Sequence, residues 1–500
     1  MVLFDALGVA PSSILLFSFL LIFAGAILVY GLGRSTKKYT GWIAAIISLV
    51  STLLVIDVIV PATSVSGVMA GPYSWIPQFL NVGLYADRLS YPILLLISAL
   101  GTITLLYCAV DAKEMENPAA FYANMLLFIG GMLGVLLSTN LIEFLLFWEV
   151  MLLPSFLLIS MFGVTIERKA SALKYFLYTH FGSVFLFAGV FLIGLLTNTF
   201  DLYTGPAVSP IRAFLPTVAQ AVFVSAVALI LVAFVVKMAI FPLHTWLPSA
   251  YYDAPIPVTL LLSSAMTKTA AYGIVRILLL FLAPQLLDLR LGLLIVALIT
   301  MYYGGILALA QDNLKSMLAY SSMSQMGYIL FGFAALSVYG VSGALFHVIN
   351  HGIAMAIMWI ACGILLKQAG TFEFSKLRGL GAKMPITTMC VVIAGLGIAG
   401  TPPLAGFWSE LLIFLGGVYY SAILVLLAII ATALTAGYYL WAIRRIFFGP
   451  IKANLKNVKD APVKIQLLML VLAFFVVIFG ILPNLVLGVL TPIYTPPPLA

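Results

Sequence analysis

Residues 231–257 read LVAFVVKMAIFPLHTWLPSAYYDAPIP. Lys237 sits bare in an apolar run, the run breaks at Pro242, and His244 and further prolines follow. A charge and a helix break are both costly where water is scarce, so the medium around this stretch decides the fold. Composition identifies the medium. Of 500 residues, 64% are hydrophobic and 8% charged, with a mean hydropathy of +1.19. A soluble domain is about a quarter charged, so most of this chain must lie in lipid.

The net charge of +8 does not point to nucleic acid, because the basic residues occupy short gaps between apolar runs instead of one soluble face. Cys108, Cys362 and Cys390 are scattered and form no C-x-x-C pair, which argues against an iron–sulfur cluster or a thiolate zinc site.

Apolar runs of about 20 residues predict an all-α, polytopic membrane protein with fourteen spans. They lie near 13–32, 41–60, 91–110, 119–138, 141–162, 170–197 and 217–241, then 257–282, 286–310, 314–336, 341–366, 385–417, 419–448 and 464–490. The longest gap, about 61–90, reads as a loop, and residues 1–500 as a single transmembrane domain. No basic residue precedes the first span, so a cleavable signal peptide is not expected. Loops after odd-numbered spans hold 18 of the 24 basic residues, and loops after even-numbered spans hold three. The positive-inside rule then places both termini on the outer face of the plasma or inner membrane.

Within this frame the intramembrane ionisable residues are Glu143, Glu149, His180, Lys237, His244, Lys268, Arg276, His347, His351 and Glu410. Each charge at mid-bilayer costs roughly 2.5–3.5 kcal/mol on insertion scales, so the default reading is an ion path or a paired site. Glu143 and Arg276 lie near span ends, where a structural ion pair or a snorkelling tip serves as well. His347 and His351 are spaced i, i+4 on one helix face. Without the glutamate of H-E-x-x-H or a third ligand, that pair suits proton relay better than zinc. His180 stands alone, as packing histidines commonly do.

The segment GLGIAG (395–400) matches a dinucleotide fingerprint, but it lies in an apolar span and not after a strand. Its glycines are expected to serve close helix packing, and no cofactor or metal site is expected on this chain. The seventh and twelfth spans are both interrupted, by Pro242 and by the prolines of GTPPLAGFWSE (400–410). Interrupted spans in corresponding positions point to an internally repeated transporter. YFLYTHFGS around His180 resembles LFHVINHG around His351 five spans later, and an odd offset requires inversion. The expected organisation is spans 1–3 (about 13–110), inverted five-helix repeats of spans 4–8 (about 119–282) and 9–13 (about 286–448), and span 14 (about 464–490).

FLLFWEVMLLP (144–154), KMAIFPLHTWLPSAYYDAPIPVTLLLSSAMTKTAAYGIVR (237–276), DNLKSMLAYSSMSQMGYI (312–329) and GTPPLAGFWSE (400–410) resemble the antiporter-like subunits of respiratory complex I, a family shared with multi-subunit Na⁺/H⁺ antiporters. The resemblance covers nearly the whole chain. Glu410 in place of lysine, and an end soon after the last span, resemble the M-type (chain 4) subunit.

The resemblance implies a proton relay of Glu149, Lys237, Lys268, His347, His351 and Glu410, with Glu143, His180, His244 and Arg276 as accessory candidates. Glu149 and Lys237 are expected to form a buried switch pair, since a desolvated lysine next to a carboxylate can gain or lose a proton. Lys268 and the histidines would pass protons to Glu410 and on to the outside. The implied function is a non-redox, proton-translocating subunit of an NADH:quinone, F420H2 or ferredoxin oxidoreductase. The alternative is an ion-exchanging subunit of a Na⁺/H⁺ antiporter or membrane-bound hydrogenase complex. Expected partners are neighbouring antiporter-like subunits, the lipid bilayer and protons, and no nucleic acid.

Overall fold

The computed structural model describes residues 9–33, 35, 37–62, 67–76, 80–111, 116–205, 220–280 and 286–494. The chain begins with α1 (Pro11–Leu32) and α2 (Thr40–Ala62), a hairpin of β1 (Val68–Ile76) and β2 (Leu80–Ala86), then α3 (Ser90–Val110) and α4 (Pro118–Leu137). Next come α5 (Leu141–Phe162), α6 (Arg168–Thr197), α7 (Gln220–Lys237), the short α8 (Trp246–Asp253) and α9 (Ile256–Leu279). The later helices are α10 (Arg290–Leu309), α11 (Leu314–Ala334), α12 (Val338–Ala369), α13 (Pro385–Ile398), α14 (Ala405–Val418), α15 (Ala422–Phe447), α16 (Val463–Ile481) and α17 (Asn484–Leu490).

Eleven helices among the described residues are long and apolar enough to cross a membrane, and Val224–Lys237, α13 and α14 are shorter apolar helices. This is a multi-pass membrane protein. The helix starts follow local chemistry. Asn117, Asn140, Asn313 and Ser337 each accept a hydrogen bond from a first-turn amide, of Ala120, Ile142, Ser316 and Gly340 respectively. Pro118 and Pro385 occupy first-turn positions where no amide hydrogen is needed.

The gap read as a loop holds the β1–β2 hairpin, with Val68 opposite Ala86 and Ile76 opposite Leu80. Its strand alternation is disguised by Gly71 and Pro72, and the pairing register slips between Ala70 and Tyr73.

The chain forms two compact units. The first comprises Met1–Lys237 with Tyr272–Leu286, and the second Met238–Ala271 with Leu287–Ala500. In the first, α1 packs on α2 and α4, and α4, α5, α6 and α7 pack each on the next. Gly131 sets the α4–α5 distance, since a Cβ there would lie 2.6 Å from the Met151 amide nitrogen. In the second, α12 is the hub, packed on α11, α13, α14 and α16, and buried from Gly340 to Leu365. By contrast α15 and α16 expose Ile423, Leu426, Ile430, Val471 and Phe474. Only lipid or another membrane protein can cover such a surface.

Two helix ends shape the site. After α7 ends at Lys237, the chain passes through Ala239 at φ 56° and turns at Pro242 before α8. The Phe241 amide is satisfied by Thr300 Oγ1 at 3.1 Å. Between α13 and α14 the chain turns at Gly400, φ 67°, and two prolines follow. Here the glycines of the apolar GLGIAG stretch do pack closely: a Cβ on Gly406 would overlap the Gly397 carbonyl.

Candidate functional site

In the first unit, Lys237 is the last residue of α7 and is 1% exposed. Its ammonium lies 4.8 Å from the centroid of the Trp148 ring, and no described residue accepts a hydrogen bond from it. The ring face supplies cation–π attraction in place of a hydrogen bond. The expected Glu149–Lys237 contact is not formed. Consecutive helix residues point about 100° apart, and Glu149 reaches Lys237 through its charge alone, without a hydrogen bond. Trp148 faces α7, and Glu149 turns to α6, where its carboxylate lies 3.6 Å from His180 Nδ1. His180 stacks on Phe176, and its side chain is 47% exposed against 23% for Glu149.

Arg276 is anchored. It forms a two-pronged ion pair with Asp87 (Nη2–Oδ1 2.5 Å, Nη1–Oδ2 2.8 Å) and donates to the Tyr203 and Tyr272 hydroxyls, both at 2.7 Å. The Tyr272 hydroxyl in turn donates to Leu136 O. Asp87 lies outside the spans. Burial pushes its carboxyl up, but the Arg276 guanidinium and the bonds from Ser90 outweigh that and hold it below the ordinary value of 3.8. Glu143 accepts from the Thr139 amide at 3.0 Å and the Gly83 amide at 3.4 Å, closing the start of α5 onto the hairpin.

The second unit gathers the larger cluster. α9 contains a widened π turn, Leu262–Met266. Ser263 O accepts from Lys268 Nζ at 2.6 Å there, and Thr267 Oγ1 takes a second ammonium hydrogen at 3.1 Å. His351 Nδ1 lies 2.8 Å from the same nitrogen. His351 and His347 are near-parallel on α12, with ring centroids 6.2 Å apart. His347 Nε2 lies 2.8 Å from Gln325 Oε1 on α11, and its Nδ1 lies 2.9 Å from Ser409 Oγ on α14. Glu410 follows Ser409, is 5% exposed, and has one carboxylate oxygen with no hydrogen-bond donor among the described residues. Its other oxygen fills the space where a Cβ on Gly400 would stand.

His244 is buried between the rings of Phe241 and Tyr303. Lys315, absent from the candidates read from the sequence, is buried at the start of α11, donating to the carbonyls of Tyr252 and Ala254 at 2.6 and 2.8 Å. It caps the C-terminal end of α8. Gln325, Ser409 and Asp87 were also missed. The first two are neutral and raise no insertion penalty; the third stands in a loop.

A family model described as NADH:quinone oxidoreductase/Mrp antiporter, TM, matches residues 138–435. The F420H2 dehydrogenase subunit M of Methanosarcina mazei is 34% identical over 83% of this chain and 84% of its own length. An NAD(P)H-quinone oxidoreductase chain 4 of Synechococcus elongatus is 33% identical over 78% of this chain and 73% of its own. A chain of respiratory complex I from Thermus thermophilus shares the fold, with a TM-score of 0.84 over 96% of this chain and 98% of that one, at 23% identity. The M-type resemblance read from Glu410 agrees with the subunit M and chain 4 names of these relatives. The chain therefore belongs to the NADH:quinone oxidoreductase/Mrp antiporter transmembrane family, as an antiporter-like membrane subunit.

Proposed function

We propose that this chain translocates protons as the M-type subunit of a complex I-type oxidoreductase, with electron transfer on partner subunits. The observation that carries the reading is the Lys268 ammonium, wholly buried and hydrogen-bonded to His351 with His347 stacked beyond it. Burying a cation against neutral imidazoles has little structural use, because an apolar side chain would pack there without the desolvation cost. It suits a group that passes its proton on. Lys268 gives a proton to His351 Nδ1 and becomes a neutral amine, and the imidazolium releases the Nε2 proton to a water molecule, since no described side chain accepts it there. The Glu149–His180–Lys237 group responds to charge changes elsewhere in the complex, and the Lys268–Glu410 group carries the proton toward the outside.

In this reading the fourteen spans are the eleven long apolar helices together with α7, α11 and the α13–α14 pair, arranged as two inverted repeats. The membrane is the plasma membrane, both termini lie outside, and neighbouring antiporter-like subunits cover the lipid-exposed faces. Glu410, and relatives named subunit M and chain 4, favour this over ion exchange in an antiporter. The test is ion uptake by vesicles holding the purified complex during quinone reduction. Proton uptake that needs no sodium, and that falls on Lys268→Met, is expected. Uptake that follows sodium, or is unchanged by Lys268→Met, would overturn the reading.

A further inference from the structure

His347, Gln325, Ser409 and the Gly406 carbonyl form a closed and wholly buried set. Gln325 turns its amide nitrogen to Thr435 Oγ1 at 3.3 Å, which leaves its oxygen for His347 Nε2. With the amide in this orientation Nε2 carries the hydrogen, because a carbonyl oxygen can only accept. Any further proton on this ring must then enter at Nδ1, the nitrogen that faces Ser409.

The Ser409 hydroxyl has one hydrogen and two acceptors within reach, His347 Nδ1 and Gly406 O, each at 2.9 Å. With the ring neutral, the hydroxyl donates to Nδ1. With the ring cationic, Nδ1–H donates to Ser409 Oγ and the hydroxyl turns to Gly406 O. Both charge states are fully hydrogen-bonded, and apart from the proton gained at Nδ1 they differ by a single O–H rotation. Without that second acceptor, one state would leave a buried polar group unpaired.

We propose that Ser409 and Gln325 are positioning residues for His347. Gln325 fixes the tautomer so that protons enter and leave at Nδ1, and the Ser409 hydroxyl rotates to match each charge state. The inference rests on the relay reading for its use, but the geometry can be tested without transport.

The chain holds four histidines, so ¹⁵N-histidine labelling of the full chain in lipid bilayers gives four resolvable rings, with His347→Gln identifying the one of interest. Neutral His347 is expected as the Nε2–H tautomer in the wild type, and as a mixture of tautomers in Gln325→Leu. The imidazolium signal should vanish in Ser409→Ala and return in Ser409→Thr. In vesicles holding the assembled complex, Ser409→Ala should lower proton translocation about tenfold, less than the loss expected on removing an acid–base group itself, and Ser409→Thr should restore at least half. An Nδ1–H tautomer in the wild type would overturn the inference even if no variant folds. Unaltered His347 signals in folded Ser409→Ala would also overturn it. A wild-type complex that moves no protons, yet shows the Nε2–H tautomer, would instead remove the relay reading and leave this assignment standing.

Discussion

Lys268 Nζ lies 2.8 Å from His351 Nδ1 and spends its other two hydrogens on Ser263 O and Thr267 Oγ1. While Lys268 is charged, its ammonium has no spare donor, and the imidazole nitrogen facing it is bare. His351 therefore carries its hydrogen on Nε2, which meets no hydrogen-bond partner among the described residues.

Replacing Lys268 by methionine keeps the volume and removes the proton. Proton translocation should fall by about 100-fold, within the range for removing an acid–base group, while the complex assembles. Lys268→Arg should be no better, because a guanidinium does not release its proton. Proton uptake and donor oxidation in the same vesicles check both.

Glu410→Gln preserves shape and hydrogen-bonding capacity but cannot release a proton. Translocation should drop at least tenfold, with redox turnover falling alongside if coupling is tight. Glu410→Asp should be milder, losing reach but keeping the acid. Unchanged pumping by an assembled Glu410→Gln complex would leave Glu410 a structural charge.

The Asp87–Arg276 clasp should respond to acid. A carboxyl held below its ordinary value adds stability above the unfolded value of 3.8, and that stability is lost as pH falls through the lower folded value. Asp87→Asn should cost about 3–5 kcal/mol at neutral pH, the usual penalty for stranding a buried partner. It should also abolish the loss of stability on acidification below about pH 4. Thermal unfolding of the purified complex across pH measures both.

Cysteines placed one at a time beside Lys456 should react with an impermeant reagent only from the cytoplasmic side. Labelling from the outside would reverse the orientation derived from the loop charges.

The helices were legible because bilayer length and apolar runs are local properties: residues 141–162 were read as a span and α5 occupies Leu141–Phe162. Insertion cost likewise marked Lys268, His351 and Glu410, since a buried charge is conspicuous in any apolar run. What escaped notice depends on partners distant in sequence. Nothing near Lys315 reveals that α8 ends beside it. Glu149 seemed matched to Lys237 by charge, yet the side chain points around α5 to His180. Ser409 and Gln325 gain meaning only from the ring between them.

Gly400 has no side chain, and Glu410 Oε2 stands in the volume that even a methyl group would take. The two positions thus share one parcel of space. For inheritance the two are coupled: a side chain at residue 400 must push the Glu410 carboxylate aside without altering residue 410, on top of the strain it meets at φ 67°. A revertant of Gly400→Ala should accordingly arise where room is made for the acid.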